Sequence, residues 1–211
     1  MTIDSIKVFG ERHCGTNAIG YFVGKNFNLK SLQYDFLGWK HRLAPKKSEW
    51  SKFDIKNCLF IFCIRNPYSW LISMHKEPYF DHYTKLKDLS FLEFIKFSIE
   101  DYENSIEMWN QKNNSYFRMA QEVPNALIIN VEDFHDDQTK FHSLISEILK
   151  KGNIPFIRMS DYVNGRGKHE GKDISESLKI PQLDNESIEI INSFLCEEIM
   201  KKCKYKILNI N

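Results

Sequence analysis

The chain has 211 residues, enough for about one to one and a half domains, and no Pro-, Gly- or Ser-rich stretch interrupts it, so a single domain over residues 1–211 is expected. A content of 42% hydrophobic and 14% aromatic residues excludes a disordered chain. The net charge of +1 from 29 Lys and Arg against 28 Asp and Glu excludes a general nucleic-acid-binding surface. It is split, however: residues 1–75 carry 11 basic and 5 acidic side chains, net +6, and residues 76–211 carry 18 and 23, net −5.

In chain order, residues 5–9 (SIKVF) read as a short β-strand ending at Gly10. The loop GERHCG follows, and Ala18, Ile19, Phe22 and Val23 then recur at helical spacing, so a helix starts near residues 15–17. Residues 34–42 (YDFLGWKHR) read as a second strand running into a loop at Pro45. Residues 57–64 (NCLFIFCI) are apolar on both faces, as central strands of parallel sheets are. Arg65-Asn66-Pro67 ends that strand, and residues 68–75 read as a helix. Ser90-Phe-Leu-Glu93 is a capping box. Behind it Phe91, Ile95, Ile99, Tyr102, Ile106 and Trp109 predict one long amphipathic helix, read as core packing. Residues 126–131 (ALIINV) predict another buried strand, and Phe141, Leu144, Ile145, Ile148 and Leu149 a helix. Residues 154–172 read as irregular, and Ile188, Ile191, Leu195 and Ile199 mark a last helix. This alternation predicts an α/β fold with a mostly parallel central sheet.

The five Cys (14, 58, 63, 196 and 203) are odd in number and include no CxxC pair, which argues against a zinc ribbon or a thioredoxin-type motif. Reduced thiols and a cytoplasmic location are expected. No signal peptide is read in MTIDSIKVFG, and the longest apolar run is far short of a membrane span.

Gly10-Glu-Arg-His-Cys-Gly15-Thr16-Asn17 lies between a strand and a helix, the setting of a phosphate-binding loop. Glycines let successive N–H groups and the helix N-terminus converge on one anion. The spacing resembles a Walker A motif, but Thr16 stands where the lysine that reaches the β- and γ-phosphates of ATP is required. A second anion site is read in R-N-P-Y-S-W-L-I-S. Arg65 stands at the carboxyl end of the clearest strand with Ser73 eight residues later. An Arg fork and a hydroxyl there suit a second phosphate.

These two elements resemble the sulfotransferase family that uses 3′-phosphoadenosine-5′-phosphosulfate (PAPS). The resemblance extends through ALIINVEDF and the closing helix to the Tyr of KCKYKI. It implies a three-layer, P-loop NTPase-like fold and a chain that transfers a sulfuryl group from PAPS, with adenosine 3′,5′-bisphosphate as product. Arg12, His13, Cys14, Gly15, Thr16 and Asn17 would hold the 5′-phosphosulfate, and Arg65 and Ser73 the 3′-phosphate. Many members carry Lys where this chain has His13, so either Arg12 or protonated His13 would supply the cation. A loop closing over the 3′-phosphate would be Asn164-Gly165-Arg166-Gly167-Lys168, with Arg166 and Gly167 as contacts; a plain surface turn is the alternative reading.

Gly-Trp-Lys40-His41-Arg42-Leu resembles the Lys-x-His-Leu stretch of cytosolic sulfotransferases, which implies His41 as general base; Lys40 or Arg42 would line the acceptor pocket or stabilise the transferring group, and Arg12 is counted with His41 and Lys40 among the catalytic residues. Glu11 and His13 are the competing bases. The pair Glu132-Asp133 is read as capping the next helix or pairing with a cation, and no metal is expected. The expected partners are the nucleotide cosubstrate and an acceptor hydroxyl, with a glycan or small molecule as acceptor. A small-molecule kinase and a non-catalytic nucleotide-binding module are the alternatives.

Overall fold

The computed structural model describes residues 2–78, 85–152, 154–159 and 175–210. Among these, four strands form one all-parallel sheet: β1 (Ser5–Gly10), β2 (Lys30–Ser31), β3 (Cys58–Ile64) and β4 (Ala126–Asn130), in the order β2-β1-β3-β4. β1 pairs with β3 over its whole length, from Ser5 opposite Cys58 to Gly10 opposite Cys63. All seven residues of β3 are buried, which explains why its sequence shows no alternation of apolar and polar residues.

Helices cover both faces. On one, α1 (Thr16–Phe27) lies over β1, with Gly20 facing Val8. Phe22 of α1 meets Phe134 of α6 (Val131–Asp136) edge-on at 5.1 Å, and Phe134 meets Phe141 of α7 (Gln138–Leu149) at 5.8 Å. On the other face Phe9 stacks on Phe62 at 5.8 Å, and Phe62 on Tyr116 of α5 (Ser105–Glu122) at 5.7 Å. The result is three layers, helix–sheet–helix. The remaining helices are α2 (Lys47–Trp50), α3 (Pro67–Lys76), α4 (Phe91–Lys96), α8 (Ser175–Leu178), α9 (Asn185–Phe194) and α10 (Glu197–Cys203).

Three sequence expectations are corrected. Residues 34–42 form turns, not a strand. Leu37 and Gly38 both take positive φ, and the buried Lys7 ammonium claims the carbonyls of Gln33 and Gly38 at 2.5 and 2.8 Å. The second strand is instead Lys30–Ser31, held by Lys30 N–H to Asp4 O and Leu32 N–H to Ile6 O. The single long helix from Phe91 is two, α4 and α5. Between them Ile99 and Tyr102 exchange backbone hydrogen bonds, Glu100 takes φ +53°, and Asn104 caps α5 by accepting from the Ile106 and Glu107 N–H groups. Helical periodicity ran across the break because Ile99 and Tyr102 enter the same core from a loop. The last helix is likewise two. Asn110 of α5 clamps the break, donating to Phe194 O at 2.7 Å and accepting from Cys196 N–H at 3.1 Å.

Candidate active site

In a sheet of order β2-β1-β3-β4 the connections from β1 and β3 diverge to opposite sides, leaving a crevice at their carboxyl ends. Residues 10–15 and 65–66 follow those ends, so the topology brings both sequence-predicted anion elements to one place.

The first loop needs its glycines for stated reasons. A Cβ on Gly10 would stand 2.7 Å from Cys63 O and 2.8 Å from Thr16 Cγ2, so the loop could not pass this close to β3. Gly15 has φ +71°, and its Cβ would strike Val131 Cγ2 at 2.6 Å. Gly15 also caps α1 without a side chain to offer, and no acid stands in the first turn. The first N–H groups of α1 therefore receive no capping side chain. Loop carbonyls are turned inward: Arg12 O accepts from Trp70 Nε1 at 2.9 Å and His13 O from an Arg65 terminal N at 2.9 Å. Since a trans peptide opposes its C=O and N–H, the His13 N–H points away from Trp70.

Without a ligand, His13 is held in its neutral form near neutral pH. Its Nε2–H donates to Glu77 O at 2.9 Å, and burial, with Arg12 and Arg65 nearby, lowers its pKa to about 4. Burial pushes the Cys14 thiol well up, so it packs as an inert side chain.

Lys40 and His41 are pinned to the end of β1. Gly10 N–H donates to Lys40 O at 3.0 Å, and His41 Nδ1–H donates back to Gly10 O at 2.5 Å. This fixes the tautomer, leaving the lone pair on Nε2. The Lys40 ammonium donates to Asn17 Oδ1 at the start of α1. Burial, with Lys40, Lys112 and Arg12 nearby, lowers the His41 pKa to about 3.

Glu11 is 3% exposed and is met by Lys112 of α5, 2% exposed, which also donates to His41 O at 2.8 Å. Burial pushes the Glu11 carboxyl up, against the pull of Lys112 and of the Arg12 N–H. Lys112 was missed by sequence reasoning, although it falls three residues after Trp109 and four before Tyr116. A lysine on an apolar stripe was the available signal.

The second element is built differently. Arg65, 3% exposed, donates from Nε to Ser69 Oγ at 3.1 Å, and from its terminal nitrogens to His13 O, Ser69 O and Ser177 O. Ser69, in the first turn of α3, is therefore the serine on Arg65. Ser73 lies a turn further on, half-buried, its carbonyl accepting from Glu77 N–H. Glu132, in the first turn of α6, reaches across to Asn66 N–H at 2.8 Å and accepts from Tyr205 Oη at 2.7 Å. Its carboxylate thus closes the start of α3. No group of three or more His, Cys, Asp or Glu able to hold a metal occurs among the described residues. Arg166 and Gly167 lie outside the described residues. No helix among those residues is long and apolar enough to cross a membrane.

No family model matches the chain, and no curated protein matches it. Among solved structures it is similar to the sulfotransferase domain from the curacin biosynthetic pathway, at 14% identity and a TM-score of 0.41. That alignment covers 72% of this chain and 55% of the other, so the chain spans about half the length of this distant neighbour.

Proposed function

We propose that the chain is a sulfotransferase that moves a sulfuryl group from PAPS to an acceptor hydroxyl. One observation carries this reading: an uncapped helix start in a glycine loop without the ATP-binding lysine lies directly against a lysine and a histidine of fixed tautomer. The loop residues from Arg12 to Asn17 would hold the 5′ side of the nucleotide. Arg65 and Ser73, with Arg166 and Gly167, are the proposed ligands of the 3′-phosphate, and Arg65 would exchange protein carbonyls for that anion.

In the transfer the acceptor oxygen forms a bond to sulfur as the bond from sulfur to the phosphate oxygen breaks. The acceptor proton passes to His41 Nε2, and adenosine 3′,5′-bisphosphate leaves. Lys40 and Arg12 would offset the charge that develops on the leaving oxygen. Burial does most to depress His41, and the further pull of Lys40, Lys112 and Arg12 would be partly offset by a bound polyanion.

Thermal and chemical unfolding with adenosine 3′,5′-bisphosphate, ATP and AMP tests the reading. The bisphosphate at 100 times its dissociation constant should stabilise by about 2.7 kcal/mol. No stabilisation, or stronger stabilisation by ATP with magnesium, overturns it. His41→Ala should keep bisphosphate binding and lose about 10²- to 10⁴-fold in turnover.

A further inference from the structure

Residues 41–45 are fastened along α5 by successive hydrogen bonds. Lys112 donates to His41 O, and Tyr116 Oη donates to Arg42 O at 3.2 Å. Ala44 N–H donates to Ser115 Oγ at 2.8 Å, and Arg118 donates to Ala44 O at 2.9 Å. Beyond the fastened stretch a groove of about 330 Å³ opens between residues 42–49 and α5. Its walls carry Arg42, Lys46 and Arg118 against the single carboxylate of Glu49, with Gln111 and Asn114 between them. Glu49 is shared between Arg42 at 2.7 Å and the Lys46 N–H at 2.9 Å. Arg118 meets no carboxylate among the described residues. One terminal nitrogen is held by carbonyls, and its buried Nε–H has no hydrogen-bond partner. An orphaned guanidinium N–H is costly unless an anion or water answers it.

We infer that this groove binds a hydroxyl-bearing small molecule with one carboxylate, the anion on Arg118 and the hydroxyls toward Gln111 and Asn114; resting on the transferase reading above, this molecule is the acceptor. Three cations against one carboxylate select an anion, and the amides between them suit hydroxyls. The volume suits a molecule of about the size of one sugar ring. Six residues of helix separate Lys112, which holds the His41 carbonyl, from Arg118, about 9 Å along the axis. A carboxylate anchored at Arg118 therefore leaves the other end of such a molecule to point along α5 toward residue 41.

The test is an amide NMR titration of the whole chain with glucuronate, glucose and inorganic sulfate, followed by adenosine 3′,5′-bisphosphate. Glucuronate should shift residues 42–49 and 111–118 saturably and at least tenfold more tightly than either glucose or sulfate. Arg118→Gln should weaken it at least tenfold. Because Arg118 also holds two carbonyls, Asn114→Asp is the second variant: an added carboxylate on an exposed position should weaken glucuronate at least tenfold more than it weakens glucose. Glucuronate binding no tighter than glucose, or unaffected by both variants, overturns the inference. Sulfate binding as tightly as glucuronate reduces the groove to an anion site and also overturns it. The bisphosphate arm separates the two readings. Shifts at residues 10–17 without glucuronate binding leave the transferase and remove this acceptor. Glucuronate binding without bisphosphate binding keeps the groove and removes its role as an acceptor site.

Discussion

At the carboxyl end of β1 the chain curls into a helix start that no side chain caps, whereas at the adjoining end of β3 the helix start is capped from within the protein. α3 begins with Asn66 accepting from Tyr68 N–H, Pro67 supplying no N–H, and Glu132 accepting from Asn66 N–H. Arg65 there donates to four protein oxygens. α1 has Gly15 as its cap and no acid in its first turn. Two helices that leave one sheet edge side by side thus differ in what they leave for a ligand. A buried arginine is not by itself an anion site; here it is also a staple, tying the open loop to α3 and α8 through His13 and Ser177.

The largest expected effect comes from undoing the support beneath the open end. Lys112→Met leaves the buried Glu11 carboxylate without its counter-charge, with the Arg12 N–H as its remaining donor, and should cost about 3–5 kcal/mol in urea unfolding. The double variant Glu11→Gln/Lys112→Met should recover much of that loss. If the double is no more stable than the single, the ion pair is not what Lys112 contributes. Next, Gly15→Ala forces a Cβ against Val131 at a left-handed backbone, a cost of about 3 kcal/mol. Adding Val131→Ala should relieve the clash and not the backbone strain, so recovery should be partial. Full recovery would show that φ at Gly15 does not matter.

Arg65→Gln sharpens the comparison at its closed end. It strips hydrogen bonds from His13 O, Ser69 O and Ser177 O, and should lower the stability of the unliganded protein by about 2 kcal/mol. An arginine that only awaited a phosphate would leave that stability unchanged and lose bisphosphate affinity alone.

The elements that set the crevice were legible because their signals are local. β3 is a run of seven apolar residues, and the loop before α1 is bracketed by two glycines that the geometry requires. What was not legible lay in long-range partners. Asn110 breaks the C-terminal helix from 86 residues away in the chain. Lys112 reaches Glu11 across 101 residues. Nothing near Arg65 in sequence says that Ser177 will take part of its fork. Residues 34–42 were misread for a related reason: their strand-like aromatics are held in turns by the ammonium of Lys7, itself inside β1.

The smallest effect concerns protons, and it compares the two histidines of the open end. In the unfolded chain each titrates near 6.5. In the fold burial lowers His13 to about 4 and His41 to about 3. The fold prefers both neutral, so the stability they contribute is fully present above pH 6.5 and is lost as the pH falls toward 4 and 3. At pH 5.5, one unit below the unfolded value, each should already have lost about 1.4 kcal/mol. His41→Asn keeps a donor for Gly10 O and His13→Gln a donor for Glu77 O, and neither titrates. Each should flatten the stability–pH slope between pH 6.5 and 4 by up to one proton, and an unchanged slope would remove that histidine from the account. A bound bisphosphate, by offsetting the surrounding cations though not the burial that contributes most, should raise both pKa values. Binding near pH 5 should then take up protons, measured by calorimetry in buffers of different ionisation enthalpy. Uptake that disappears in His41→Asn would place the anion beside His41, at the open end of the sheet; uptake that survives there and disappears in His13→Gln would move it toward Arg65.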